Sequence, residues 1–181
     1  MTVSSDASLV SGLRSGDREA FKAAYDRYKS DVLALVAAML GAEDSAWDVL
    51  HDVFVSLAAQ ARQLAPNSNL KGYLLTSAAN RARDCLKRRA LIARHDAHAR
   101  TVLCTTEDPL TIAAREEEAD HLKHALASLP EDQRVVVAMH IYGEFTFKEV
   151  AANMGVSEST VQSRYRYALE KLRRHYRGGD K

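Results

Sequence analysis

Thr146-Phe-Lys-Glu-Val-Ala-Ala-Asn-Met-Gly-Val-Ser-Glu-Ser-Thr-Val-Gln-Ser-Arg-Tyr165 is the stretch on which the reading of the chain turns. Thr146 and Glu149 have the spacing of a capping box, in which each satisfies a free amide of the other. The pattern predicts a short helix from Phe147 to Met154, a turn at Gly155-Val-Ser157, and a longer helix capped by Ser157 and reaching about Tyr176. A short helix, a glycine-containing turn and a longer helix make a helix-turn-helix. Val150, Met154, Val156, Val161 and Tyr165 are its candidate core, and Ala151 leaves room for a close crossing. The outward face then carries Glu158, Ser159, Gln162, Ser163 and Arg166, with Thr160 and Arg164 beside it. Small hydrogen-bonding groups near the start of a helix suit the floor of a major groove. Arg173, Arg174 and Arg177 further along suit phosphates. The rival reading is a helical hairpin with a solvated basic end.

Working outward, every other periodic segment is also helical. Leu9, Val10 and Leu13 form a short amphipathic piece. Asp17 opens a helix whose stripe is Phe21, Ala24, Tyr25, Tyr28, Val32, Leu35, Val36 and Met39, closed by Gly41. Trp47, Leu50, Phe54, Leu57, Ala61 and Leu64 step by three and four, so this seam is expected to be buried, with Asp48, Val49, His51, Asp52 and Val55 outward. Ala65-Pro-Asn-Ser-Asn69 breaks it. A third helix is expected from about Leu70 to Leu91, with Tyr73, Leu74, Ser77, Ala78, the Arg81 stem and Cys85 inward. Periodicity fades from about Ile92 to Thr111. A helix from about Pro109 to Ser128 is expected to bury Leu122, Ala125, Leu126 and Leu129. Pro130 then stands in the first turn of another, with Val135, Val136, Met139 and Tyr142 as its apolar face. The fold class is therefore all-α: two small helical domains joined by a flexible linker, the second containing the helix-turn-helix. The boundaries fall at 1–92, 93–117 and 118–178.

Composition agrees. In 181 residues, 46% are hydrophobic and only 3 are proline and 8 glycine, which disfavours disorder and turn-rich β folds. The net charge of +1 hides a pattern. Residues 51–92 and residues 162–181 each hold 7 Lys or Arg against 2 Asp or Glu, while the intervening segments are acidic. Two basic blocks suggest two surfaces for a polyanion. In the first block Asn67, Ser68 and Asn69 could hydrogen-bond an unstacked base. Asn80, Arg83, Asp84, Lys87 and Arg88 lie along the helix that follows. A charge run of this kind is otherwise a solvated face.

Other chemistries find little support. His95, His98 and Cys104 suggest a partial metal site, but a fourth ligand at regular spacing is missing and no metal is expected. No phosphate-binding glycine loop, dinucleotide fingerprint or nucleophile elbow occurs, so neither an enzyme nor a cofactor is expected. Two cysteines, no long apolar run and no secretory leader predict a reduced, soluble, cytoplasmic protein without membrane contact of its own. No C-terminal extension that could self-regulate is expected.

These residues resemble the extracytoplasmic-function (group IV) sigma factors of bacterial RNA polymerase, in order, from Asp17 to Tyr176. Asp17-Arg-Glu-Ala-Phe21 with Tyr25 and Tyr28 is similar to the family's first conserved pattern. Asp48-Val-Leu-His-Asp-Val-Phe54 is similar to its polymerase-binding segment, and Tyr73 to Arg89 to its promoter-melting helix. Ala125-Leu-Ala-Ser-Leu-Pro-Glu-Asp-Gln-Arg134 is the most specific match, followed by Phe147 to Ala151, Gly155 to Arg164 and Ala168 to Arg173. The pattern departs from the family at His51, Tyr73, Ala79, Ser159 and Gln162. The resemblance implies a sigma factor that binds core RNA polymerase and directs it to promoter DNA, with no catalytic residues. It implies polymerase contacts at Asp48, Val49, His51, Asp52 and Val55, and minus-ten contacts at Asn67, Ser68, Asn69, Asn80, Arg83, Asp84, Lys87 and Arg88. Upstream contacts would come from Ser159, Thr160, Gln162, Ser163, Arg164, Arg166 and Arg173. An anti-sigma factor is the implied inhibitor, and the free chain is expected to be a monomer. A conventional helix-turn-helix regulator, with a sensing or dimerising N-terminal domain, is the alternative, and a protein-binding adaptor a third. Neither has a use for two basic surfaces.

Overall fold

The computed structural model describes residues 6–41, 43–66, 68–95, 122 and 124–178. Among these all regular structure is helical. The elements are α1 (Asp6–Ser15), α2 (Arg18–Leu40), α3 (Glu43–Gln60) with a closing 3-10 turn (Ala61–Gln63), α4 (Leu70–His95), α5 (Glu131–Ile141), α6 (Phe147–Met154) and α7 (Glu158–Gly178). A further helical stretch ends at residue 127. Most of the expected linker, with His98 and Cys104, lies outside the described residues, as do most of the Pro109 to Ser128 helix and Asn67.

The helix boundaries follow their caps. The Asp17 carboxylate accepts the Glu19 amide at 2.9 Å at the start of α2. Gly41 closes that helix at φ +66°, where its N–H reaches the Ala37 carbonyl. Asn69 starts α4 by accepting the Gly72 amide on its side-chain oxygen at 2.9 Å. α1 packs Leu9, Val10 and Leu13 against α2. The Tyr28 hydroxyl of α2 donates to the Asp6 carboxylate at the head of α1. Burial, with Asp6 second, pushes this phenol up to about 12.

Two helices are rotated from their expected faces. In α3 the buried residues are Ala46, Val49, Leu50, Val53, Phe54 and Leu57, because the helix lies between α2 and α4. Trp47 is 54% exposed and Val49 only 3%, so the expected core tryptophan is on the surface and the expected polymerase contact Val49 is in the core. Apolar residues occur on both candidate faces of α3, and packing against two neighbours selects the Val49–Val53 side. In α4 the interior is Leu70, Leu74, Leu75, Ala78, Ala79, Ala82 and Leu86. Tyr73, Ser77, Arg81 and Cys85 are only half-buried, a rotation of one residue.

The second unit is built around α5. Pro130 precedes this helix rather than standing in its first turn, and its carbonyl accepts the Gln133 and Arg134 amides. Val135, Val136, Val137, Ala138 and Met139 are all buried. One stripe was expected, but α5 packs against α2 on one side and against α6 and α7 on others, so it is covered nearly all round. Ala125, Leu126 and Leu129 are buried as expected, whereas Leu122 is exposed. The two helical units share a hydrophobic core: residues from α5, α6 and α7 belong to the same buried cluster as α2, α3 and α4.

Candidate nucleic-acid interface

The helix-turn-helix forms as its sequence predicts. At the head of α6 the Thr146 hydroxyl oxygen accepts the Glu149 amide at 3.3 Å, and the Glu149 carboxylate accepts the Thr146 amide at 2.8 Å. The Thr146 amide, with the Thr146 hydroxyl donating to the same carboxylate at 2.8 Å, holds the Glu149 carboxyl below its usual range. Gly155 makes the turn at φ +67°, a conformation that costs glycine nothing. Ser157 then caps α7, its Oγ accepting the Thr160 amide at 3.2 Å. Val150, Ala151 and Val161 close the core, with Met154, Val156 and Tyr165 packed at its edge.

An aromatic group completes this core. The His140 ring of α5 stacks at 4.6 Å from Phe147 and meets the edge of Tyr165 at 5.0 Å. Its Nδ1 lies 2.8 Å from the Phe145 carbonyl. His140 follows Val136 by four residues, and that helical step is the signal by which its packing role could have been found.

Along α7, Glu158, Ser159, Gln162, Ser163, Arg166 and Arg173 are exposed. The Ser159 and Thr160 hydroxyls both meet Ser157 Oγ, at 2.9 and 2.7 Å. Gln162 is held only by a long 3.4 Å contact to the Glu158 carboxylate. Arg166 lies over the Tyr167 ring at 5.2 Å. Arg164 differs: its guanidinium pairs with Asp132 of α5 at 2.6 Å and is largely covered. Of the expected upstream contacts, Thr160 and Arg164 are therefore half-buried and the rest form one open stripe.

On α4 the expected pocket divides in two. Ser68 donates its hydroxyl to the Ala65 carbonyl at 2.7 Å and Asn69 caps the helix, so both are tied to local backbone. Asn80 lies eleven residues beyond Asn69, about 16 Å along the helix axis. Asn80, Arg83 and Lys87 share a separate basic face, with Asp84 and Arg88 exposed beside it. Lys87 pairs with Asp84 at 3.7 Å.

A third surface lies on α3. Asp48, His51, Asp52 and Val55 are exposed, and Asp52 pairs with Arg81 of α4 at 3.6 Å. Trp47, His51 and Val55 line a shallow apolar groove of about 340 Å³ with Phe21, Tyr25 and Phe54. Phe54 meets Tyr25 edge-on at 4.9 Å and holds the floor of that groove. Among the described residues no group of three or more His, Cys, Asp or Glu side chains is placed to hold a metal ion, and no helix is long and apolar enough to cross a membrane.

Comparison with known proteins places this geometry. Residues 24–92 match the Sigma-70 region 2 model and residues 125–174 the Sigma-70, region 4 model. The chain is 30% identical over 174 residues to the ECF RNA polymerase sigma factor SigM of Mycobacterium tuberculosis, covering 94% of this chain and 84% of SigM. The chain belongs to the ECF RNA polymerase sigma factors. The RNA polymerase sigma factor CarQ of Myxococcus xanthus is 28% identical over 165 residues, covering 88% of this sigma factor and 91% of CarQ. Its fold is similar to CnrH, solved in complex with the cytosolic domain of CnrY, at a TM-score of 0.63, 22% identity and coverage of 97% and 99% of the two chains. It is also similar to RpoE solved with the anti-sigma factor NepR from Bartonella quintana, at a TM-score of 0.65, 21% identity and coverage of 87% and 96%.

Proposed function

We infer that this sigma factor is an alternative one that binds core RNA polymerase and directs promoter-specific transcription initiation. The observation that carries the reading is the pairing, in one chain, of a region 4 helix-turn-helix with a region 2 unit whose α4 bears a second basic face. A conventional regulator needs only the first.

Residues 1–92 serve as the polymerase-binding and melting unit, 93–117 as the linker and 118–178 as the upstream-element unit. Asp48, His51, Asp52 and Val55 dock on polymerase, joined by Trp47, whose exposed ring extends the same surface. Val49 acts from beneath as packing. Asn80, Arg83, Asp84, Lys87 and Arg88 take the melted strand, with Asn67, Ser68 and Asn69 at the head of the helix. A base leaving the stack loses a few kcal/mol, and these side chains offer replacement contacts. Ser159, Gln162, Ser163 and Arg166 read the upstream groove, while Thr160 and Arg164 set the helix and Arg173 anchors phosphate.

The protein works without catalytic residues, cofactor or metal of its own, in the cytoplasm, as a monomer when free. An anti-sigma factor holds it inactive, as the partners named in the CnrH and RpoE structures suggest. Purified protein mixed with core polymerase and a promoter library tests the reading. Transcripts that start only when both are present are the expected result. Tight, sequence-specific duplex binding by the chain alone, with no initiation, would return it to the conventional regulators.

A further inference from the structure

The open stripe of α7 is bordered by one large side chain that the division of roles along the helix leaves idle. Tyr167 is 50% exposed, beside small and charged groups. Arg166 lies over its ring, with the guanidinium carbon 5.2 Å from the ring centroid, inside the range of a cation–π contact. Successive residues of a helix point about 100° apart, so a side chain reaches its immediate neighbour only by lying sideways across the surface. Ser163 precedes Arg166 by three residues and Tyr167 by four, and so occupies the ground between them. Its small exposed side chain leaves that ground open. Glu170, four residues beyond Arg166, is the other partner within helical reach, but it pairs with Arg174 at 3.9 Å. Among the described residues no ion pair holds Arg166, and the ring is what fixes it.

This contact leaves the donors of the arginine free. A ring engages the flat face of a guanidinium, whereas its five N–H groups point outward in the plane. One edge of that plane can still meet the O6 and N7 acceptors of a guanine together. A long side chain fixed beforehand also loses less freedom on docking than a loose one. We propose that Tyr167 is a positioning residue for upstream-element recognition, its ring holding the Arg166 guanidinium across the open stripe in place for a guanine in the major groove. The proposal rests on the reading of α7 as the groove-reading helix. Tyr167 contributes no charge and no base contact of its own; it acts through Arg166.

The test uses reconstituted holoenzyme and an upstream-element library, with wild type, Arg166→Ala, Tyr167→Ala, Tyr167→Phe and the double alanine variant. Arg166→Ala is expected to remove a guanine preference at one base pair. Tyr167→Ala should weaken the preference at that same base pair roughly two- to fivefold, the contribution of an exposed cation–π contact. Tyr167→Phe keeps the ring and should keep the preference. The double variant should match Arg166→Ala, because a ring without its guanidinium has nothing to position. A preference lost in Arg166→Ala but unchanged in Tyr167→Ala overturns the positioning role and leaves Arg166 a reader. Equal weakening for every sequence in Tyr167→Ala, with the preference kept, is the mark of a merely structural role and also overturns it. A loss in Tyr167→Phe as large as in Tyr167→Ala does the same, by giving the hydroxyl a contact of its own. A preference untouched by Arg166→Ala overturns the reading of Arg166, and the proposal with it.

Discussion

Replacing Gln162 by alanine removes a side chain that the fold hardly uses: it is exposed and tied only by its 3.4 Å contact to Glu158. Its loss should therefore leave folding stability within about 0.5 kcal/mol. If Gln162 pairs with an adenine edge, however, the native promoter loses about 1–3 kcal/mol, a factor of roughly 5 to 150 in affinity. Arg173 provides the contrast. It lies eleven residues further along α7, about 16 Å down the axis and beyond the roughly 12 Å width of a major groove. Arg173→Ala should weaken all sequences alike and reduce the salt slope by about 0.9. Between 50 and 200 mM salt its affinity should then fall roughly 3.5-fold less than that of wild type, by the same counterion argument. The assay is selection from an upstream-element library by reconstituted holoenzyme, followed by binding to the selected site at both salt concentrations. An unchanged base preference in Gln162→Ala, or an altered one in Arg173→Ala, refutes the division of roles along α7.

Three further outcomes are expected. Asp48→Ala combined with Asp52→Ala should weaken binding to core polymerase in a competition assay while changing stability by less than about 1 kcal/mol, since the Asp52–Arg81 pair is exposed; undiminished competition removes polymerase docking from this face. Ser68→Ala with Asn69→Ala should impair open-complex formation on duplex promoters more than on pre-melted ones, and equal losses on both count against a melting role. That variant also loses the α4 cap, which costs about 1 kcal/mol of stability measured separately by denaturant. Thr146→Ala should destabilise the chain by about 1 kcal/mol near neutral pH, a fall of roughly 2–4 °C in Tm. Glu149 has its folded pKa lowered from the ordinary 4.5, so its contribution is present above that value and lost as the pH falls through the lower folded value. The difference between Thr146→Ala and wild type should accordingly narrow in acid; a constant gap removes the carboxylate from the account.

The local structure of this chain is written in short-range chemistry, and its surfaces much less so. Asp17, Gly41, Thr146 and Gly155 announce their helix ends because a cap is decided within four residues of itself. The faces of α3 and α4 were harder to place, since each carries apolar side chains around more than half its circumference. Only the neighbours decide whether Trp47 or Val49 turns inward. The run Val135 to Met139 contained a signal that periodicity discarded: five consecutive apolar residues mean a helix covered on several sides. Of the expected contact residues, those on the open stripe of α7 were legible from steps of three and four. The engagement of Arg164 by Asp132, and of Asn80 and Arg83 by Asn153, joins residues 32, 73 and 70 positions apart, through polar pairs that leave no pattern in sequence.

The burial of α5 on several sides also gives the molecule a thermometer. Ala38 of α2 packs on the cluster of Leu126, Leu129, Val137 and Ala168, and Val135, Val136 and Met139 share the core of the first unit. Any parting of the two units would bring this apolar surface into water, and hydration of such surface raises the heat capacity. The equilibrium between joined and parted chains is consequently curved in temperature. Apolar association weakens on cooling, and ion pairs such as Lys71 with Glu144 respond in the same sense because their desolvation cost falls with warming. Both effects therefore weaken the seam between the units as the temperature falls below the maximum of that curve.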